Sequence, residues 1–195
     1  MAAIPGDVRT IAVIGAGPVG RGIAQLAARG GYRTILEDLL PNALRRAESE
    51  IRIQLALAVD SGAVAADAAN AAFSRLEFAD SVEDAARPAD LVIEAVPEEL
   101  ESKIEIFTLL DKICRPGTIL ASHVSSLSIT EISRVTYRAR NCLGMHFAEP
   151  VDREKRLEII RGRETDDDTL AAAVQVGRRM GKETVVIEDA ASIPT

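Results

Sequence analysis

The chain contains two histidines, His123 and His146, and one of them has a candidate partner for proton transfer. His146 lies near the end of the apolar segment 141–147, and Glu158 lies within the apolar segment 156–160. A buried carboxylate without a partner is costly, so a pair with His146 would satisfy Glu158 and orient the imidazole. Histidine titrates near neutral pH, which suits it to take a proton from an alcohol that loses a hydride. A purely structural histidine in a strand is the alternative.

A glycine motif near the N-terminus predicts a nucleotide phosphate site. Gly15, Gly17 and Gly20 follow the apolar segment 10–14 and precede a helical pattern. In this context Gly15 permits a tight turn, Gly17 lets the backbone approach a pyrophosphate, and Gly20 lets the helix pack close to the sheet. The helix N-terminus adds free N–H groups and a partial positive charge. The alternative is a glycine-rich turn that binds no ligand.

Asp38 indicates which dinucleotide the glycine motif would bind. It follows the next predicted strand, 32–37, and Leu39 and Leu40 come after it rather than an arginine. A carboxylate at this position accepts hydrogen bonds from ribose hydroxyls and repels a 2′-phosphate. The sequence therefore predicts NAD rather than NADP, and a surface acid at a strand end is the alternative for Asp38 alone.

Strand and helix patterns alternate along the whole chain. Strands are predicted at 10–14, 32–37, 76–78, 90–96, 118–121, 141–147, 156–160 and 183–188. Helices are predicted from Arg21 to about Gly30, over 41–62, within 56–72, over 98–113, from the end of the serine-rich turn 122–128 to about residue 135, and over 167–181. This alternation predicts a doubly wound α/β fold of the Rossmann type, with a mostly parallel sheet and an inserted helical pair.

Composition places the chain among ordinary globular domains. Of its 195 residues, 47% are apolar and 27% are charged, and the net charge is −7. The acidic balance and the 3% aromatic content disfavour nucleic-acid binding. No apolar run approaches the length of a membrane helix and no signal peptide is visible, so we expect a cytoplasmic protein without a membrane partner. Cys114 and Cys142 predict reduced thiols, and the scattered histidines and cysteines predict no metal site.

Five segments carry a resemblance to a known family. They are 13–25, 91–111, 119–130, 144–151 and 157–162. The chain resembles the N-terminal NAD-binding domain of the short-chain L-3-hydroxyacyl-CoA dehydrogenase family, which includes 3-hydroxybutyryl-CoA dehydrogenases. The resemblance implies oxidation of a (3S)-3-hydroxyacyl thioester to the 3-ketoacyl thioester, with hydride transfer to NAD, as in fatty acid metabolism.

The resemblance also implies roles for individual residues. His146 stands at the position of the catalytic base, Glu158 at that of its orienting acid, and Ser125 at that of the serine that contacts the 3-oxygen of the substrate. Glu98 and Lys103 stand at positions that line the nicotinamide ribose. By residue type alone, the serines after strand 118–121 are equally explained as a helix cap.

Two departures from the family lie next to these residues. His123 and Val124 replace the Asn-Thr that usually precedes the two serines, and Glu149 replaces the Asn that follows the catalytic histidine. Glu149 would place a negative charge beside the substrate. We therefore expect Glu149 to affect the choice of substrate.

A third departure concerns the acyl carrier. No lysine or arginine occurs between Arg52 and Arg75, where the family offers a basic residue to CoA. The substrate is therefore either an ordinary acyl-CoA or a departure from it, such as an acyl group on a carrier protein or a more polar acyl group. A non-catalytic NAD-binding module is a further alternative. So is a hydroxy-acid oxidoreductase that binds a carboxylate with Arg153, Lys155 and Arg156.

The end of the chain carries the last expectation. In the family a helical domain follows the final strand and contributes to a homodimer. Here the chain ends where that domain should begin, so we expect residues 1–190 to form the NAD-binding domain and 191–195 to be the start of an absent C-terminal domain. We expect the isolated chain to bind NAD but to turn over poorly, and the full-length form to be a homodimer.

Overall fold

The computed structural model describes residues 8–189, in which strands and helices alternate as predicted. The strands are β1 (Thr10–Ile14), β2 (Arg33–Glu37), β3 (Leu76–Ala79), β4 (Leu91–Glu94), β5 (Ile119–Ser122), β6 (Cys142–Phe147), β7 (Arg156–Arg161) and β8 (Glu183–Glu188). The helices are α1 (Pro18–Arg29), α2 (Pro41–Asp60), α3 (Ala66–Phe73), α4 (Val82–Ala86), α5 (Leu100–Ile113), α6 (Ile129–Ser133) and α7 (Asp167–Arg179). A short 3₁₀ helix, Ala139–Asn141, precedes β6.

The strands form one sheet in the order β3-β2-β1-β4-β5-β6-β7-β8. Neighbouring strands from β3 through β6 are parallel, β7 is antiparallel to β6, and β8 is parallel to β7. The chain moves outward from β1 to β3 and then returns to place β4 on the other side of β1. This reversal opens a crevice at the carboxyl ends of β1 and β4, where open α/β sheets bind ligands. The predicted doubly wound, mostly parallel α/β fold is confirmed.

Helices cover both faces of the sheet, which explains why most side chains of the central strands are apolar on both faces. All five residues of β1 are buried. Ile11 and Val13 join a core with α1, α2, α3 and α7, whereas Ala12 and Ile14 join a second core with α4, α5 and α6. A strand buried on both faces does not show the alternating pattern of a half-exposed strand.

The sequence patterns missed one helix. α4 has five residues, too few to produce a helical period, although Ser81 caps it by accepting a hydrogen bond from the Asp84 N–H. The helical pair is present as α2 and α3, with α2 ending at Asp60 and α3 beginning at Ala66. The predicted junction at 191–195 lies outside the described residues.

Three further expectations concern features away from the site. Cys114 and Cys142 are free, buried thiols, and burial raises their pKa values to about 11 and about 12. Over residues 8–189 the structure contains no helix with both the length and the apolar character needed to cross a bilayer. Within the same range, no cluster of histidine, cysteine and acidic side chains is arranged to hold a metal ion.

Candidate active site

A cleft of about 540 Å³ opens at the carboxyl ends of β1 and β4. Most of the residues singled out from the sequence lie on its wall. They are Gly15, Gly17, Asp38, Glu98, His123, Ser125, His146 and Glu149. Glu158 contacts His146 from the neighbouring strand, Gly20 lies in the first turn of α1, and Lys103 lies in the interior.

The glycine turn between β1 and α1 fits a phosphate group. Gly15 has φ of +101°, and a Cβ there would lie 3.0 Å from the Ala95 carbonyl oxygen. At Gly17, the N-cap of α1, a Cβ would meet no atom within 4 Å, so the space in front of the helix is open. The first turn of α1 has no acidic residue to occupy its free N–H groups. At Gly20 a Cβ would lie 1.8 Å from the Gly15 oxygen, so the close packing of helix on turn requires glycine.

Asp38 is held at the rim of the cleft by two backbone groups. Its Oδ2 accepts a hydrogen bond from the Ala16 N–H at 3.0 Å, and its Oδ1 accepts one from the Leu40 N–H at 2.9 Å. A carboxylate oxygen has lone pairs for more than one donor, so both oxygens can still accept from ribose hydroxyls. Together with the open space at Gly17, this geometry fits an adenine dinucleotide.

Glu37, directly before Asp38, is a titratable group that sequence reasoning missed. Its side chain is buried and its Oε1 has no hydrogen-bond partner within the described part of the chain. Burial raises the pKa of Glu37 to about 7, and the nearby carboxylates of Asp38 and Asp80 add to the rise. The position is visible in the sequence as an acid within an apolar strand.

His146 and Glu158 form the pair that their positions predicted. They lie opposite each other on the antiparallel strands β6 and β7, with His146 Nδ1 at 3.0 Å from Glu158 Oε2. A carboxylate only accepts, so Nδ1 carries the proton and Nε2 is left as the basic nitrogen. The hydrogen bond from His146 lowers the pKa of Glu158, and the positive charge of Arg156 adds to this effect. Such a dyad can take a proton on Nε2 while the carboxylate stabilises the charge that forms.

Glu98 and Ser125 are in direct contact on the wall of the cleft. Glu98 Oε1 accepts hydrogen bonds from the backbone N–H groups of Ser125 and Ser126 at 2.8 and 3.0 Å, and from Ser125 Oγ at 3.2 Å. Although burial acts to raise the pKa of Glu98, hydrogen bonds from the backbone of residues 125–127 lower it. Glu98 is therefore an ionised acceptor that fixes the serine loop beside His146.

Comparison of the sequence with known protein families shows which family the chain belongs to. Residues 10–190 match the family described as 3-hydroxyacyl-CoA dehydrogenase, NAD binding domain. The chain belongs to this family. The prediction of the family, and of NAD as its cofactor, is confirmed.

Individual relatives agree with this membership. A probable 3-hydroxybutyryl-CoA dehydrogenase of Bacillus subtilis is 39% identical over 183 residues, which cover 94% of this chain and 63% of that protein. The crystal structure of a (S)-3-hydroxybutyryl-CoA dehydrogenase from Ralstonia eutropha superposes with a TM-score of 0.91 at 32% identity, covering 94% of this chain and 65% of that one. The 3-hydroxyadipyl-CoA dehydrogenase of Escherichia coli is 35% identical, covering 92% of this chain and 38% of that protein. The chain thus spans a little less than two-thirds of the first two relatives.

In this NAD-binding domain, Lys103 lies below the cleft rather than on its wall. Its ammonium is fully buried, at 2.8 Å and 3.1 Å from the two carboxylate oxygens of Glu94 and 2.9 Å from the His123 carbonyl oxygen. Burial raises the pKa of Glu94 and the Lys103 ammonium opposes that rise. The pair connects β4, α5 and the end of β5. The structure therefore places Lys103 as a support for the cleft, and its expected place beside the nicotinamide ribose stays a prediction.

His123, the residue that departs from the family pattern, lies on the cleft wall next to His146. Their ring centroids are 5.8 Å apart, and His123 Nδ1 is 3.2 Å from the Met145 carbonyl oxygen. Burial lowers the pKa of His123, and the nearby Lys103 ammonium acts in the same direction, although the hydrogen bond to the Met145 carbonyl opposes them. His123 is thus a neutral imidazole in the cleft. The signal for it in the sequence is that His123 stands where the family usually has an asparagine.

Glu149 reaches the cleft on a loop that a buried lysine anchors. Lys182 Nζ donates to the carbonyl oxygens of Val151 and Glu154, each at 2.5 Å. Burial lowers the pKa of Lys182, while the charges of Asp152 and Glu154 oppose that change. Nothing in the sequence pattern pointed to Lys182, because its partners are backbone atoms of a distant loop.

Proposed function

We propose that this chain provides the NAD site and the catalytic base of an NAD-dependent dehydrogenase that oxidises a (3S)-3-hydroxyacyl thioester to the 3-ketoacyl thioester. One observation carries the proposal. The paired imidazole of His146, held by Glu158 at 3.0 Å, lines the same cleft as the phosphate-binding glycine turn. A non-catalytic NAD-binding module would have no use for this pair.

Each group in the cleft would have one role in the transfer of the hydride and the proton. NAD supplies the acceptor for the hydride that leaves C3 of the substrate. His146 Nε2 takes the proton of the 3-hydroxyl group, and Glu158 stabilises the resulting imidazolium. Ser125 Oγ, which donates to Glu98 in the structure, would turn to donate a hydrogen bond to the 3-oxygen of the substrate, while Glu98 keeps its backbone donors. In the reverse direction His146 returns the proton to the 3-oxygen.

The cofactor would lie along one side of the cleft. Gly15, Gly17 and the N-terminus of α1 would hold its pyrophosphate, and Gly20 keeps that helix close to the turn. Asp38 would accept from the hydroxyls of one ribose, and Glu98 would lie at the nicotinamide end. Lys103 would act indirectly, by holding the floor of the cleft through Glu94.

The carrier of the acyl group has two candidates. The names of the relatives support acyl-CoA. A carrier protein or a more polar acyl group is supported by Glu149 on the cleft wall and by Arg52, which stacks on the Phe73 ring at 3.8 Å and pairs with Glu48 at 3.0 Å. A guanidinium with two partners on the helical pair is a poor ligand for a CoA phosphate. The alternative function, a hydroxy-acid oxidoreductase that binds a carboxylate with Arg153, Lys155 and Arg156, loses support. Arg156 pairs with Glu158, and Arg153 lies near Asp152.

The proposal is tested by calorimetric titration with NADH and NADPH, followed by NADH oxidation on acetoacetyl-CoA and on the same acyl group attached to a carrier protein. We expect NADH to bind and NADPH to bind much more weakly, because Asp38 repels the 2′-phosphate. Asp38→Ala should weaken NADH binding, and it should lower the melting temperature modestly because Asp38 also accepts hydrogen bonds from the Ala16 and Leu40 N–H groups. Failure of the wild type to bind NADH would overturn the cofactor site. Equal rates with both carriers would refute a dedicated carrier protein.

A further inference from the structure

Glu158 has two strong partners, one on each carboxylate oxygen. Oε2 is 3.0 Å from His146 Nδ1, and Oε1 is 2.7 Å from a terminal guanidinium nitrogen of Arg156. The guanidinium of Arg156 and the protonated Nδ1 of His146 can each only donate to a carboxylate, so the Glu158 carboxylate is held from two sides. Rotation of the carboxylate would break the contact with His146 and the contact with Arg156 at the same time.

The strand geometry explains why Arg156 can do this. Arg156 and Glu158 are two residues apart on β7, so their side chains project from the same face of the sheet. On β8 the residue opposite Glu158 is Val185, which offers no donor. On β6 the opposite residue is His146. Arg156 is therefore the residue that contacts the oxygen of Glu158 which His146 does not use.

We propose that Arg156 is a positioning residue of the site: by holding Oε1 of Glu158, it fixes Oε2 against Nδ1 of His146 and so leaves Nε2 of His146 as the proton acceptor. This inference rests on the proposed role of His146 as the base. It adds a third member to the pair, acting through Glu158 without contacting the reacting atoms.

The charged groups around the pair allow this role. Arg156 approaches from β7, the neutral His123 from the end of β5, and Glu98 from the loop after β4. Glu149 lies on the loop that follows β6. Arg156 thus supplies the positive charge next to a carboxylate that otherwise has only a histidine for support.

The test compares the wild type with Arg156→Met by nuclear magnetic resonance, without cofactor or substrate. Since the chain has two histidines, His146→Gln identifies the His146 signals. We expect neutral His146 to carry its proton on Nδ1 in the wild type, and Arg156→Met to give a mixture of Nδ1–H and Nε2–H forms. We also expect Arg156→Met to raise the pKa of Glu158, followed by its carboxyl ¹³C signal, because the positive charge that helps to lower it is removed.

Two further variants make the test specific. Arg156→Lys keeps the charge and should restore most of the wild-type tautomer. Arg153→Met removes an equally charged residue that is 80% exposed and lies near Asp152, and it should change neither signal. The Arg156 side chain is 62% exposed, so we expect these variants to fold, and Arg156→Gln repeats the test should methionine disturb the strand.

Unchanged His146 tautomer and Glu158 titration in both Arg156→Met and Arg156→Gln would overturn the inference, and Arg156 would be an ordinary surface ion pair. A wild type in which His146 carries its proton on Nε2 would overturn it as well. These spectra need neither NADH binding nor turnover. Failure of the proposed function would appear in calorimetry and kinetics, and is therefore distinguishable.

Discussion

Glu37 is a buried acid, and its replacement by glutamine should stabilise the protein above neutral pH. Its Oε1 lacks a partner within the described residues, and its pKa rises from 4.5 to about 7 because burial and the charges of Asp38 and Asp80 disfavour ionisation. Glutamine has the same size and stays neutral. Glu37→Gln therefore removes the cost of a buried negative charge and keeps the packing of β2.

The magnitude follows from the two pKa values. Below pH 4.5 the carboxyl group is protonated in both the unfolded and the folded state, so the wild type and Glu37→Gln should have similar stability. As the pH rises through 7, the group ionises in the folded state too, and its unfavourable contribution is complete. The difference between 4.5 and about 7, at about 1.4 kcal/mol per pH unit, corresponds to a relative gain for the variant of up to about 3 kcal/mol at pH 8.

The assay is urea unfolding of the wild type and Glu37→Gln between pH 4 and pH 8.5. Other titrating groups are common to both proteins, so the difference between the two free energies of unfolding isolates residue 37. Glu77→Gln on the neighbouring strand β3 is the control with the opposite sign, because the hydrogen bond from Arg33 lowers the pKa of Glu77. A difference for Glu37→Gln that does not vary with pH, or a variant that is less stable at pH 8, would refute the reasoning.

Two further predictions concern the turn and the floor of the cleft. Gly17→Ala should weaken NADH binding in calorimetry without lowering the melting temperature, whereas Gly20→Ala should destabilise the fold, because its Cβ would lie 1.8 Å from the Gly15 oxygen. Equal melting temperatures for the two variants would count against this contrast. Lys103→Met should lower the free energy of unfolding by about 3–5 kcal/mol in urea, because it leaves Glu94 buried without its cation. A loss below about 1 kcal/mol would mean that Glu94 finds another partner.

The sequence predicted the parts of the fold that depend on local pattern. Every predicted strand is present, because runs such as residues 10–14 are buried on both faces and read as continuous apolar segments. α4 was missed because five residues make little more than one turn. Its boundaries are set by the Ser81 cap and by packing against β1, β2 and β3, which no short window of sequence contains.

The site was predictable to the extent that its residues follow strand ends. His146 and Glu158 could be paired from their positions because β6 and β7 are neighbouring antiparallel strands. The ion pair of Lys103 with Glu94 depends on side-chain directions in three dimensions, so the sequence offered no signal for it. Arg156 and Glu158 stand two residues apart on one predicted strand, and that spacing places them on the same face. The raised pKa of Glu37 likewise depends on the folded surroundings, because they bury the carboxyl group away from water and provide no hydrogen-bond donor for Oε1 within the described residues.

The central claim is that His146 is the base of a cleft that binds NAD. The most direct measurement is the rate of NADH oxidation on acetoacetyl-CoA by the wild type and by His146→Gln, with NADH affinity measured for both by calorimetry. The account predicts equal NADH affinity and a rate at least about 100-fold lower in His146→Gln, because a positioned general base contributes about that much or more. Oxidation above background at equal rates in the two proteins would contradict it.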